Sequence, residues 1–114
     1  MNTDKIQESL REFAVARDWE QFHTPKNLAT ALSVEVSELL EIFQWCRDGN
    51  DIKYDDYARI GREVADIFIY LLRFCDVINL KSLDLLIENK IKDNADKYPV
   101  PLAKGNAIKY NRRA

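Results

Sequence analysis

This chain of 114 residues has few of the residues that bend or cross-link a backbone. Three glycines and three prolines favour long helices over a fold with many turns. The two cysteines, Cys46 and Cys75, are isolated, and each falls on an apolar helical stripe. We therefore expect both to be reduced core residues rather than a disulfide pair. The single histidine, His23, leaves no histidine-based metal site or catalytic pair available.

Strong net charge and long hydrophobic runs are also missing. The net charge of −2 argues against a nucleic-acid-binding surface, although bound metal could still attract a small anionic ligand. The apolar run from Ile67 to Leu72 ends at Arg73 and is too short to span a membrane, and no signal peptide is visible. With 46% hydrophobic and 32% charged residues, we expect one folded, soluble, cytoplasmic domain.

Hydrophobic periodicity predicts an all-α fold, an antiparallel four-helix bundle. Thr24-Pro25 is a strong helix start, Asn79 can end a helix in the left-handed conformation, and Ser82 is placed to cap the last helix. Helices two and three are apolar over more than one stripe, which predicts burial against another subunit. The predicted helices are Asp4–Asp18, Pro25–Arg47, Asp56–Ile78 and 83–97. Residues 1–101 are the predicted helical domain, and 102–114 a basic, extended or loosely ordered tail.

Two helical segments each carry a pair of carboxylates three residues apart, Glu35 with Glu38 and Glu63 with Asp66. This spacing places each pair on one helix face, so antiparallel helices can bring four carboxylates to one point. Such pairs usually mark a solvated face, as Glu41 does on the polar side of its helix.

The position of Glu35 is different, because it falls near the middle of the apolar face of its helix. A charge there is costly unless it is paired or bound to metal. Oxygen ligands favour Mg²⁺, Mn²⁺ or Ca²⁺ over zinc.

The sequence resembles the MazG-like all-α nucleoside triphosphate pyrophosphohydrolases, and most closely their dCTP pyrophosphatase branch. The E-x-x-E and E-x-x-D pairs define the broad superfamily, whereas the segment D-W-E-Q-F-H, followed by Q-W, is specific to the branch. The likeness continues to the Lys97-Tyr98-Pro99 ending and covers nearly the whole chain.

The resemblance implies a homotetrameric enzyme that converts a nucleoside triphosphate to the monophosphate and pyrophosphate, as in nucleotide-pool house-cleaning. It implies dCTP or a 5-substituted relative as the substrate, and Leu10 stands where animal members are expected to have a substrate-contacting histidine. The implied Mg²⁺ ligands, with Mn²⁺ as a substitute, are Glu35, Glu38, Glu63 and Asp66. The implied contacts to base and sugar are Trp19, His23, Trp45 and Tyr70.

Several alternatives remain open from the residues alone. Lys90, Lys97 or Arg73 could contact phosphates, although each also fits a solvated helix face. Trp45, if helical, lies close in angle to Glu38. A ferritin-like di-iron protein needs E-x-x-H pairs, which are absent. A non-catalytic helical interaction module would explain the amphipathic helices but not Glu35, and a pyrophosphohydrolase of different base preference also fits.

Overall fold

The computed structural model describes residues 1–113, and these residues contain helices and no strand. The predicted all-α class is confirmed. The α-helices are α1 (Thr3–Ala16), α2 (Pro25–Ile42), α3 (Asp56–Val77), α4 (Leu83–Lys97) and α5 (Val100–Ala103). Two single 3₁₀ turns, Glu20–Phe22 and Tyr110–Arg112, accompany them. Within the described residues, no helix combines the length and apolar character that a membrane crossing requires.

The helix start predicted at Thr24-Pro25 is confirmed in detail. Thr24 Oγ1 accepts a hydrogen bond from the backbone N–H of Asn27 at 3.1 Å, and Pro25 occupies the first helical position. The hydroxyl satisfies one of the N–H groups that every helix start leaves without a partner. Asn79 adopts φ +60°, so the left-handed conformation predicted after α3 is also confirmed.

Helix α2 ends at Ile42, five residues before the predicted end at Arg47. The backbone N–H groups of Phe43 and Gln44 bind carbonyls three residues back, those of Leu40 and Glu41, at 2.9 and 3.2 Å. These shorter hydrogen-bonded rings tighten the chain and end the α-helix. The angular argument that placed Trp45 beside Glu38 was therefore wrong.

The two cysteines lie in different surroundings. Cys75 is buried on α3, as predicted, whereas Cys46 is half-buried in the turns after α2 and not on a helical stripe. The Cys46 thiol donates to the carbonyl oxygen of Asp51 at 3.4 Å, which holds the loop after α2 together. Both cysteines are free thiols.

The chain divides into two compact units, residues 1–80 and the residues from Lys81 onward. In the first unit, α3 packs against both α2 and α1. The fully buried apolar side chains of this unit are few: Ala14, Leu28, Leu72 and Cys75. Its helices therefore meet along a narrow core and leave much apolar surface uncovered.

The second unit consists of α4, α5 and the residues that follow. Ser82 occupies the N-cap position of α4, as predicted, at φ +59°, but its side chain makes no capping hydrogen bond. The segment 102–114, predicted to be extended or loosely ordered, is folded in part. The rings of Tyr98 and Tyr110 pack edge to face at 5.9 Å. The Arg113 guanidinium donates to the Lys97 carbonyl oxygen at 2.6 Å. The separation of a basic tail at residue 102 stays a prediction.

Candidate metal centre and adjoining cavity

Helices α2 and α3 bring carboxylates from both predicted pairs to one point. One oxygen each from Glu35, Glu63 and Asp66 lies within 4.8 Å of the others. Helical spacing explains this arrangement. Glu63 and Asp66 are one turn apart on α3, and Glu35 lies on α2, which packs against α3. Glu38 lies one turn from Glu35, and its charge acts on both Glu35 and Glu63. Glu41 is exposed, as its place on the polar face of α2 predicts.

Two oxygens in this cluster are buried without a partner. Oε2 of Glu35 and Oε2 of Glu63 have almost no contact with solvent and accept no hydrogen bond within the described residues. Burial raises the pKa of Glu35 to about 7, and the neighbouring carboxyl groups of Glu38, Glu63 and Asp66 add to the rise. Burial is also the main cause that raises the pKa of Glu63, and the charges of Glu38 and Asp66 contribute.

This donor set fits a hard divalent cation. Buried acceptor oxygens without donors are costly to a protein unless an unseen group binds them, and clustered carboxylates repel one another. A cation bound there would satisfy both requirements. The ligands are all oxygens, the donor type that Mg²⁺ and Mn²⁺ prefer.

A cavity of about 350 Å³ adjoins the carboxylate cluster. Asp66 lines it, so the cavity and the cluster share a residue. Its other lining residues are Leu10, Phe13, Trp19, His23, Ile69, Tyr70 and Arg73. The volume lies within the range of roughly 300–1,000 Å³ typical of small-molecule sites, and the walls are mainly aromatic and apolar. A flat aromatic ligand part would find stacking surfaces here, next to the place where a cation would bind.

Three of the four predicted base contacts line this cavity: Trp19, His23 and Tyr70. The rings of Trp19 and His23 lie 6.4 Å apart at an interplanar angle of 65°. Trp19 also packs edge to face against Phe13 at 5.7 Å. Helical spacing alone indicates only that Phe13 faces the core of α1, and its place in the cavity wall depends on its contact with Trp19.

His23 is held by a hydrogen bond from Arg73, whose Nε donates to His23 Nδ1 at 3.1 Å. Burial lowers the pKa of His23, and the adjacent Arg73 charge lowers it further. The imidazole is therefore neutral near pH 7. Because Nδ1 accepts, Nε2 carries the ring proton.

The sequence left open whether Arg73 lies on a solvated helix face, and the structure shows that it is buried. Its guanidinium contacts His23 and also pairs with Asp76, with Nη1 3.3 Å from Oδ2. Asp76 in turn binds Arg11 at 2.7 Å. Arg73 is therefore engaged within the protein and is not on a solvated helix face. Its spacing from Asp76, three residues along a helix, was the one available signal of this pairing.

Trp45 is not among the residues that line this cavity, and Lys90 and Lys97 belong to the second unit. Trp45 is 86% exposed and borders a separate hollow of about 200 Å³ beside Cys46 and Asp51. Lys90 is exposed on α4. The Lys97 ammonium lies 4.9 Å from the centre of the Tyr110 ring, within the second unit.

These features define a helical protein with a cluster of carboxylates that could hold a cation, beside an aromatic cavity. The sequence profile of the MazG-like family matches residues 30–112, and the chain belongs to this family. The resemblance identified from the sequence is thereby confirmed.

Individual relatives agree with the family assignment. The chain is 40% identical over 103 residues to dCTP pyrophosphatase 1 from Rattus norvegicus and from Homo sapiens, which covers 87% of this chain. It spans about 60% of the length of these curated relatives. It is also similar to the crystal structure of a pyrophosphatase from Archaeoglobus fulgidus, at 40% identity and a TM-score of 0.75. That match covers 87% of this chain and 94% of the other.

Proposed function

We propose that this protein is a nucleoside triphosphate pyrophosphohydrolase that converts dCTP or a 5-substituted relative to the monophosphate and pyrophosphate. The observation that carries the proposal is the cluster of Glu35, Glu63 and Asp66, with two buried unpartnered oxygens, at the edge of an aromatic cavity. The names of the relatives, dCTP pyrophosphatase 1, support the same activity. A helical interaction module would leave these buried carboxylates unexplained.

The four predicted ligands, Glu35, Glu38, Glu63 and Asp66, would hold a divalent cation, Mg²⁺ or Mn²⁺. When bound, such a cation supplies charge neutralisation for the phosphates and lowers the pKa of a coordinated water. In the reaction a water oxygen forms a bond to the α-phosphorus, and the bond from that phosphorus to the bridging oxygen breaks. The pyrophosphate leaves with the electron pair, and the proton lost by the attacking water passes to solvent.

The chain's own residues bind and orient the nucleoside. Trp19 and Tyr70 offer aromatic faces, which stack on any base at roughly 1–3 kcal/mol each and therefore select weakly. His23 is the imidazole of the cavity, and with Nδ1 occupied it presents Nε2–H as a donor. This donor can meet the carbonyl at position 2 of a pyrimidine base, but purines also carry acceptors, so the proposed preference for pyrimidines rests on the similarity to dCTP pyrophosphatase 1. We also propose Lys90 and Lys97 as phosphate contacts, a role that the sequence left open beside that of a solvated helix face.

We further propose that the protein acts in the cytoplasm as a homotetramer in which a four-helix bundle is the repeating unit. Large apolar side chains on α2 and α3 remain exposed, among them Val34, Val36 and Phe68, at 44–51%. A soluble protein rarely leaves so much apolar surface uncovered. Trp45, which lies outside its own chain's cavity, would contact the nucleoside bound to a neighbouring copy.

A pyrophosphate-release assay tests the activity. Purified protein is incubated with dCTP, 5-methyl-dCTP, dTTP, dATP and dGTP, each with Mg²⁺ or with excess chelator. We expect pyrophosphate, not orthophosphate, from the pyrimidine substrates and only with metal. Hydrolysis of dATP and dGTP at equal rates would remove the pyrimidine preference, and absence of release from every substrate would favour the interaction module.

Two matched variants on α2 test the role of the carboxylates. Glu38→Ala should lower turnover at least 100-fold, since it removes one predicted metal ligand. Glu41→Ala removes the same kind of side chain one turn away, on the exposed face, and should leave turnover within about twofold. Circular dichroism is used to check that both variants remain helical. Equal losses in the two variants would contradict the assignment of ligands.

A further inference from the structure

Arg73 is an unusual residue to find buried on a small helical protein. It is 7% exposed, and its guanidinium pairs with Asp76, whose side chain is itself only 8% exposed. Burying a charge pair is expensive, and such a pair is weak evidence for added stability. A buried arginine that also lines the nucleoside cavity therefore needs another explanation.

The explanation lies in the order of its contacts. Arg11 binds Asp76 at 2.7 Å, Asp76 binds Arg73 at 3.3 Å, and Arg73 Nε donates to His23 Nδ1 at 3.1 Å. The hydrogen bond from Arg73 Nη1 to Asp76 Oδ2 and the one from Nε to His23 act on two different nitrogens of the planar guanidinium, so together they orient it. The fixed plane aims Nε at one ring nitrogen of the one histidine in the chain.

We propose that Arg73 is a positioning residue for substrate recognition, because it holds His23 as the Nε2–H tautomer and so sets the cavity to receive a hydrogen-bond acceptor of the base. Arginine has donors only and cannot lose its proton, so Nδ1 must accept. The inference rests on the proposed function for its substrate, but the state of the ring is independent of turnover.

The tautomer of His23 determines whether its free ring nitrogen can bind an acceptor or a donor of the base. A histidine free to change tautomer or to charge can face either an acceptor or a donor on the base edge. A histidine held as the Nε2–H form faces an acceptor only, and a base that presents a donor at that point leaves two donors opposed. Buried polar groups left unpaired in this way give strong discrimination.

Nitrogen NMR of ¹⁵N-histidine-labelled protein tests the proposal directly, because the spectrum contains one imidazole. Long-range ¹H–¹⁵N correlations distinguish a protonated from an unprotonated ring nitrogen. At neutral pH we expect unprotonated Nδ1 and protonated Nε2 in the unmodified protein. In Arg73→Met we expect averaged nitrogen shifts from mixed tautomers and a higher pKa for the ring.

Arg59→Met is the matched control. Arg59 also lies on α3 and pairs with an aspartate three residues away, at 3.7 Å from Asp56, but it contacts no histidine. Its loss should leave the ring spectrum unchanged. Arg73→Lys keeps the charge and a donor, and it should restore part of the single-tautomer spectrum.

Kinetics with dCTP supply the second measurement. Arg73→Met should raise KM about tenfold with kcat within about threefold, the effect of losing one well-oriented hydrogen bond of about 1.4 kcal/mol. A raised KM with an unchanged ring spectrum would overturn the proposal, since Arg73 would then contact the substrate itself. Protonated Nδ1 in the unmodified protein would overturn it even if Arg73→Met fails to fold. A correct ring spectrum in a protein without pyrophosphohydrolase activity would instead refute the proposed function alone.

Discussion

Glu35 illustrates how a single residue couples stability to function. It lies on the core-facing side of α2 with one oxygen buried and unpartnered, and its pKa of about 7 exceeds the ordinary value of 4.5. The unfolded chain loses this proton near the ordinary value, whereas the metal-free folded chain holds it to a higher pH. Folding therefore becomes less favourable as the pH rises between these two values, because the folded state must then bury a charge.

The corresponding prediction concerns metal-free protein. In excess chelator, the melting temperature of the unmodified protein should fall as the pH rises from 5 to 8, and Glu35→Gln should remove much of that fall because glutamine does not ionise. Differential scanning fluorimetry at a series of pH values measures both slopes. Glu41→Gln, on the exposed face, should keep the slope of the unmodified protein. Equal slopes for all three proteins would contradict the burial of Glu35.

The sequence was informative about residues whose relation depends on local spacing. Glu35 and Glu63 could be predicted to meet, because helical periodicity places each on a definable face. The hydrogen bond between Arg73 and His23 could not be predicted, since the two residues are 50 positions apart and their contact depends on how the 3₁₀ turn at Glu20–Phe22 returns the chain to α3.

At the scale of elements, helix starts were easier to predict than helix ends. A start such as Thr24-Pro25 can be recognised from the sequence because the Thr24 side chain accepts a hydrogen bond from one of the first N–H groups of the helix. The end of α2 depends on a change of hydrogen-bond spacing after Leu40 that no single side chain dictates. The loop that follows was consequently predicted too short, and Trp45 was placed on a helix that does not reach it.

The cap at Thr24 can be tested by removing one hydroxyl. Thr24→Ala should lower the free energy of unfolding by about 1 kcal/mol, since the N–H of Asn27 loses its acceptor. Thr30→Ala on the same helix removes a hydroxyl that donates only to the Lys26 carbonyl oxygen, and it should change stability by less than about 0.5 kcal/mol. Urea unfolding at one fixed protein concentration compares them. A larger loss in Thr30→Ala would contradict the capping role.

At the scale of the whole molecule, the main feature is the imbalance between a narrow core and a wide apolar surface. Among residues 1–113, four apolar side chains are buried, while many large ones, including those of Val36 on α2 and Phe68 on α3, remain 44–48% exposed. The sequence predicted this excess from the second apolar stripe on each helix. It could not specify the partner surface, because pairing between copies is not encoded in the periodicity of one chain.

Assembly can be tested with one added charge. Light scattering coupled to gel filtration should give four times the chain mass for the unmodified protein. Val36→Asp should shift the protein toward smaller species, because a carboxylate in an apolar interface has no partner. Ser9→Asp adds the same charge at an exposed site on α1 and should leave the assembly unchanged. A monodisperse, active monomer would contradict the predicted tetramer.

The two tryptophans differ in a way that gives this protein its own optical reporter. Trp19 lines the cavity that we propose binds the nucleoside and is 44% exposed, whereas Trp45 is 86% exposed in the turn after α2. In a Trp45→Phe variant all indole emission would come from beside the base, so nucleotide binding could be followed by quenching without a label. In the converse variant, Trp19→Phe, emission would shift to the blue only if Trp45 becomes covered when copies associate. Fluorescence from one chain can thus separate occupancy of the cavity from contact between subunits.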